Sequence, residues 1–187
     1  MSDIVIASAA RTPVGSFNGS FSDMSAADLG SIAIKEAISR AKIKTTDVSE
    51  VIMGQVLTAS CGQNPARQAS INAGIPNEIT AITINQVCGS GLRSIALGMQ
   101  SIMNGESEII VAGGQENMTQ APHCFHLRQT GKMGDAEMID SMIKDGIWDI
   151  FNGYHMGVTA ENVAEKWQIT RDQQDEMALN SELKAEE

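Results

Sequence analysis

The sequence predicts an α/β protein built on a largely parallel sheet that is covered by helices on both faces. Three observations predict it: short apolar runs alternate with stretches of helical periodicity, the runs are apolar enough to be buried strands, and glycine or proline marks each change of texture. Ile4 to Ala10 reads as a first buried strand, ended by Arg11-Thr12-Pro13 and followed by a loop through Gly15 and Gly19. Ser25 is an N-cap for a helix carrying Leu29, Ile32, Ala33, Ile34, Ala37, Ile38 and Ala41, with Asp28 well placed in the first turn. Val51-Ile52-Met53 is a second strand, Pro65 to Ala73 a helix stopped by Gly74, and Ile79 to Val87 a third strand. Leu92, Ile95, Ala96, Met99, Ile102 and Met103 fall at helical spacing up to Gly105, and Ile109 to Ala112 is a fourth strand ending at Gly113-Gly114.

After Glu116 the pattern weakens. Ala121 to Gly157 carries Pro122, several glycines and scattered methionines, which predicts an inserted, loop-rich subdomain. Two helices close the sequence, one from about Thr159 to Trp167 and one capped by Thr170, whose spacing to Gln173 is that of a capping box. The domain expectation is a core over residues 1–118 and a partial loop domain with its following helices over 119–187.

Length and charge narrow the function. At 187 residues with 42% hydrophobic content the chain fits one ordinary domain with a sizeable core. Thirteen Lys and Arg against 23 Asp and Glu give a formal charge of −10 without a basic stripe, so nucleic acid and anionic membranes are poor partners. A polyanionic small ligand stays open, because a helix N-terminus holds phosphate even on an acidic protein. Cys61, Cys88 and Cys124 cannot all pair and none stands in a Cys-x-x-Cys knuckle, which points to reduced thiols. No leader pattern opens the chain and no run approaches the roughly 18 apolar residues of a membrane span, so the expected location is cytoplasmic. The 11 methionines read as gap fillers, and no dinucleotide fingerprint, Walker loop or His-Glu-x-x-His occurs.

The sharpest chemical feature is Asn85-Gln86-Val87-Cys88-Gly89-Ser90-Gly91-Leu92, where a strand meets a helix through a tight, glycine-containing turn like a nucleophile elbow. A cysteine at a helix N-terminus faces unpaired N–H groups and the positive end of the helix dipole, both of which favour the reactive thiolate. Gly89 and Gly91 permit close approach of backbone to substrate, and free N–H groups there can hold an oxyanion. A small buried cysteine at a crowded strand–helix junction is the competing explanation.

The residues around Cys88 resemble the acyl-nucleophile motif of the thiolases. The likeness extends in order through Arg11-Thr12-Pro13-Val14-Gly15, Gly62-Gln63-Asn64-Pro65-Ala66-Arg67-Gln68 and Val111-Ala112-Gly113-Gly114-Gln115-Glu116-Asn117-Met118. It continues through Lys132-Met133-Gly134, Gly153-Tyr154-His155-Met156-Gly157 and Thr159-Ala160-Glu161-Asn162. The resemblance implies a layered α-β-α core and an acyl transfer that condenses two acetyl-CoA to acetoacetyl-CoA, or cleaves it, with Cys88 as nucleophile and its N–H contributing to an oxyanion site. It also implies that His155 and Met156 line the thioester pocket at the pantetheine end of coenzyme A, that Ile147 touches coenzyme A, that no cofactor is tightly bound, and that the protein is a homo-oligomer, a dimer of dimers.

Each of these positions has a blander reading. A lone histidine such as His155 is commonly a structural hydrogen-bonder, and Ile147 before Trp148 is equally well explained as core. His123, Cys124 and His126 suggest a metal cluster only superficially, because the spacing is wrong and no second ligand pair exists; no metal is expected. Arg128 and Lys132 are candidates for phosphate or subunit contacts, or simply solvated surface. Cys61 departs from the family pattern and reads as incidental.

The full thiolase pattern adds a Gly-His-Pro histidine that activates the nucleophile and a Cys-x-Gly cysteine that acts as acid and base; neither motif occurs in these 187 residues. The second core domain is absent as well, so the helix beginning near Leu92 is expected to expose an apolar face, and the fragment alone to be inactive or nearly so. The rivals are a degradative 3-ketoacyl-CoA thiolase, a non-catalytic thiolase-like scaffolding subunit and, third, a ketoacyl synthase.

Overall fold

Three parallel strands, each entered from a helix or tight turn, form the sheet on which the rest is hung. β1 (Glu50–Gly54) lies in the centre, flanked by β2 (Thr80–Ile84) and β3 (Ile110–Gly114), with Gly54 level with both Ile84 and Gly114. The computed structural model describes residues 3–126, 128, 133 and 135–186. Its chain divides into two compact units, Met1–Gly146 and Ile147–Glu187.

The connections explain the layering. β1 passes through α2 (Pro65–Asn72) to β2 on one side, and β2 passes through α3 (Ser90–Met103) back across β1 to β3 on the other. Right-handed crossovers that run in opposite directions must put their helices on opposite faces of the sheet. Val51 and Met53 accordingly pack with Ala27, Ile34 and Ile38 of α1 (Ala26–Ala41) and with Ala66 and Ala69 of α2. The alternate residue Gly54 meets Ser90 of α3 on the other face. The expected α/β class is therefore the observed one.

Local signals start these helices where the sequence places them. Ser25 Oγ accepts the Asp28 N–H at 3.0 Å while Asp28 Oδ2 accepts the Ser25 N–H at 3.2 Å, a reciprocal box that satisfies two end donors of α1. Asn64 caps α2 through Arg67 N at 3.2 Å, with Pro65 at the first helical position.

The first expected strand is a correction. Ile4 to Ala10 joins no ladder, and Val5 and Ile6 are 75% and 77% exposed. An apolar run becomes a strand only where it reaches a sheet edge, and this segment lies beside α1 and not along β2 or β3: Ser8 Oγ donates to Ala37 O at 2.6 Å and Arg40 Nη1 to Ala9 O at 3.0 Å. The expected strand Ile79 to Val87 is shorter too, because Asn85 begins a turn by accepting the Val87 N–H at 2.9 Å.

α3 carries its apolar stripe outward. It meets the sheet through Ser90, Ser94, Gly98 and Ser101, whose small side chains let helix and strands approach closely. Ser94 Oγ donates to Gly91 O at 2.6 Å and to Gly113 O at 2.8 Å. Leu92, Ile95, Met99 and Met103 face away, Leu92 at 76% exposure, which is the exposed apolar face expected of this helix. Downstream, the loop-rich stretch holds a short antiparallel pair, β4 (His123–Cys124) with β5 (Ile139–Asp140), and a π-helical turn at Met142–Ile147. The second unit contains β6 (Trp148–Asp149) paired with β7 (Tyr154–His155), then α4 (Met156–Trp167) and α5 (Arg171–Glu186). The capping box at its last helix forms as read, Thr170 N donating to Gln173 Oε1 at 2.9 Å and Gln173 N to Thr170 Oγ1 at 3.3 Å.

Gly54 is required for the contact between β1 and α3. A Cβ there would fall 2.5 Å from Ser90 Cβ and 2.7 Å from the Ser90 carbonyl carbon, whereas one on Gly91 would meet nothing closer than 3.9 Å. Gly54→Ala is therefore expected to lower unfolding free energy by about 1–3 kcal/mol in urea titrations, and Gly91→Ala to be neutral or mildly stabilising.

Candidate active site

The loops that leave the carboxyl ends of three parallel strands converge on one edge, the position where open α/β sheets bind ligands. Register puts Gln55, Asn85 and Gln115 side by side there. Gln55 N donates to Ile84 O at 3.0 Å and Gln115 N to Gly54 O at 2.9 Å, extending both ladders by one residue. Behind them Gln115 Nε2 donates to Gln55 Oε1 at 2.9 Å, between side chains that are almost fully buried.

Cys88 sits on the loop after β2, directly before Gly89, the N-cap of α3, which offers no side chain to the helix end. The first-turn N–H groups of α3 therefore lack the usual hydroxyl or carboxylate cap. Cys61 and Cys124 are half-buried, whereas Cys88 is an exposed residue of this chain. Val87, just before it, has φ = 49°, a left-handed conformation that a β-branched residue adopts only under constraint. Gly89 N donates to Gln86 O and Ser90 N to Val87 O, both at 3.1 Å, closing the turn around Cys88.

The other candidates lie in the second unit. Ile147 ends the π-helical turn and is half-buried, and Met156 opens α4 at the surface. His155 pairs with Trp148 across β6 and β7, and its Nδ1 accepts the Gly157 N–H at 3.0 Å. That makes His155 the N-cap of α4, so the helix starts three residues before Thr159, where the sequence pattern begins it. Histidine is not among the residues that announce an N-cap, and this role is invisible in the pattern. With Nδ1 accepting, the neutral imidazole carries its proton on Nε2. The turn ahead of it is held by Asp149, whose carboxylate accepts from Asn152 Nδ2 at 2.7 Å and from the N–H groups of Asn152 at 3.1 Å and Phe151 at 2.9 Å. Those bonds, the Asn152 side chain foremost, hold the Asp149 carboxyl below its ordinary value.

Several sequence candidates separate from this edge. Cys61 is half-buried: its thiol donates to Leu57 O at 3.4 Å, accepts from Gln55 Nε2 at 3.5 Å, and so knits the loop after β1. His123 faces Asp140 across β4 and β5, with Nε2 and Oδ2 3.8 Å apart. Arg128 is exposed, and Lys132 and Gly134 of the expected Lys132-Met133-Gly134 motif lie outside the described residues.

Glu116 acquires a role that the motif alone does not disclose. Its Oε2 accepts the Val56 N–H at 2.8 Å and its Oε1 the Leu57 N–H at 3.2 Å, tying the loop after β3 to the loop after β1. Burial pushes the carboxyl above its ordinary 4.5, against the lowering effect of those two donors. With the folded-state pKa above the unfolded one, the folded protein holds the proton more tightly between the two, so this group makes stability fall as pH rises upward from 4.5. Urea unfolding of wild type and Glu116→Gln across that range should show the stability difference, wild type minus variant, shrinking as pH rises.

The chain matches the family model "Thiolase, N-terminal domain" over residues 4–187. It is similar to the "Acetyl-CoA acetyltransferase" of Rhizobium meliloti, 63% identical over 98% of this chain and 47% of that protein. The protein of the same name from Paracoccus denitrificans is 58% identical over 100% of this chain and 48% of its own length. "Acetyl-CoA acetyltransferase, cytosolic" of Rattus norvegicus is 54% identical over 98% of this chain and 46% of that protein. The chain thus spans about half the length of the curated relatives it matches. A parallel sheet with a solvent-facing cysteine at the head of its central crossover helix, joined to these matches, means that the chain belongs to the thiolase family and carries its N-terminal domain.

Proposed function

We propose that this chain is the nucleophile-bearing half of an acetyl-CoA acetyltransferase, with the activity belonging to the full-length protein. The observation that carries the reading is the exposed Cys88 at the uncapped N-terminus of α3, on the carboxyl edge of the sheet. The names of the relatives support acetyl-CoA as the substrate over a longer 3-ketoacyl thioester. In this reading the Cys88 thiolate attacks the thioester carbonyl, a new carbon–sulfur bond forms at Cys88, and the bond to coenzyme A sulfur breaks. The departing thiolate takes up the proton that Cys88 gave up, and the oxyanion formed on the way is held by the Cys88 N–H. A base of the full-length protein outside these residues then takes the α-proton of a second acetyl-CoA, the carbanion forms a carbon–carbon bond to the acetyl carbonyl, the Cys88 sulfur–carbon bond breaks, and acetoacetyl-CoA leaves with Cys88 restored as the thiolate. A soft nucleophile that also leaves well suits both directions.

His155 Nε2–H is a donor for the thioester end of coenzyme A, beside Met156 and Ile147. We place the protein in the cytosol as a homo-oligomer, a dimer of dimers, with no tightly bound cofactor and neither nucleic acid nor membrane as partner. No helix among the described residues is long and apolar enough to cross a membrane, and one of the relatives is named cytosolic.

Intact mass of the full-length protein after incubation with acetoacetyl-CoA should rise by one acetyl group mapping to Cys88, and Cys88→Ala should abolish the adduct and lower turnover on the order of 10³-fold or more. An acetyl adduct elsewhere, or undiminished turnover in Cys88→Ala, would sink the assignment. His155→Asn keeps an N-cap but removes the Nε2 donor, while His155→Ala removes both. Substrate KM should rise by about tenfold in both variants, as loss of one hydrogen bond to substrate predicts, with thermal stability falling only in His155→Ala. Equal KM in wild type and His155→Asn would leave His155 a helix cap alone.

A further inference from the structure

The turn that presents Cys88 is strained, and one buried hydroxyl braces it. Val87 lies in the left-handed region at φ = 49°, where its branched side chain has no intrinsic reason to be. Such a conformation persists only where the surroundings over-determine it. Two side chains do so. Asn85 Oδ1 accepts the Val87 N–H at 2.9 Å, and Ser90 Oγ accepts the Gln86 N–H at 2.8 Å while donating to Val87 O at 2.6 Å. Ser90 therefore grips the backbone on both sides of the strained residue, and Cys88 lies inside the segment it holds.

The brace is itself anchored. Ser90 is 4% exposed and sits against the end of β1, in the space that Gly54 leaves by having no side chain. Its hydroxyl is thus fixed to the sheet rather than free to follow the loop. The hydroxyl spends its one donor on Val87 O, so it has no remaining donor for a substrate.

We propose that Ser90 is a positioning residue for the Cys88 thiol: by holding Val87 in the left-handed conformation from a point fixed on β1, it sets the direction in which the nucleophile leaves the sheet edge. This rests on the reading of Cys88 as the acyl acceptor. Ser90 acts through the backbone and touches no reacting atom.

The test uses the full-length protein and three variants, Ser90→Ala, Val87→Gly and the two combined. The rate of single-turnover acetylation by saturating acetoacetyl-CoA is followed together with iodoacetamide alkylation of Cys88, with Cys61 and Cys124 as internal controls for global loosening. Ser90→Ala should slow acetylation on the order of 10- to 100-fold with KM little changed, since a misdirected nucleophile loses rate rather than binding. Alkylation of Cys88 should change while that of Cys61 and Cys124 does not. Glycine occupies the left-handed region without strain, so in the Val87→Gly background the loss of Ser90 should cost less than about threefold.

Unchanged acetylation in Ser90→Ala overturns the proposal and leaves the Cys88 assignment intact. Wild type that takes no acetyl group at Cys88 removes the assignment itself, which separates the two failures. If Ser90→Ala does not fold, the double variant decides: one that folds and reacts like Val87→Gly alone upholds the brace. A double variant that also fails to fold, or that loses the full 10- to 100-fold, gives Ser90 a different role.

Discussion

The approach of α3 to the end of β1 governs the whole carboxyl edge of the sheet. Gly54 has no side chain, so Ser90 and the first turn of α3 rest directly on the strand, at distances that a single Cβ would violate. From that contact the Ser90 hydroxyl reaches the backbone of Gln86 and Val87, in the turn that carries the exposed Cys88. The start of α3 and the strained turn before it meet the strand at one close approach, which only the smallest side chains permit.

The same contact explains why α3 has its polarity inverted relative to an ordinary surface helix. A helix that lies on a sheet usually buries its apolar stripe; this one seats serines and a glycine against the strands and turns Leu92, Ile95, Met99 and Met103 outward. The hydroxyls are satisfied locally, Ser94 on Gly91 O and Gly113 O and Ser90 on Val87 O, so burying them adds no unpaired group. Close packing at the site is thus obtained at the cost of an apolar surface on the far side of the helix.

Polar groups behind the edge do the complementary work. Gln55, Gln115 and Glu116 tie the loops after β1 and β3 into one hydrogen-bonded frame, and Glu116 satisfies two backbone donors at once. Burial raises its carboxyl pKa because the charge is partly desolvated, which is the physical penalty of placing an acceptor strong enough to hold both N–H groups. Asp149 shows the opposite balance on an exposed turn of the second unit, where hydrogen bonds dominate and the carboxyl is driven down.

Much of this was legible in the sequence, because local rules carried it. Ser25 with Asp28, Thr170 with Gln173 and Pro65 after Asn64 announce helix starts through backbone groups a few residues away, and the alternation of apolar runs with helical spacing announces the α/β class. Cys88 was legible as well, since a cysteine between a strand and a glycine-rich helix start is a local pattern, and the thiolase likeness around it is continuous. Other features depend on groups far apart in the chain. Whether Ile4 to Ala10 becomes a strand depends on its reaching a sheet edge, Glu116 finds its donors 60 and 59 residues away at Val56 and Leu57, and Gly54 matters only because Ser90 arrives above it. By itself the sequence determined the class and the starts of α1, α2 and α5, which rest on neighbours along the chain; only the tertiary structure decided the pairing of strands and the seating of Ser90 on Gly54, because those exist only where distant segments meet.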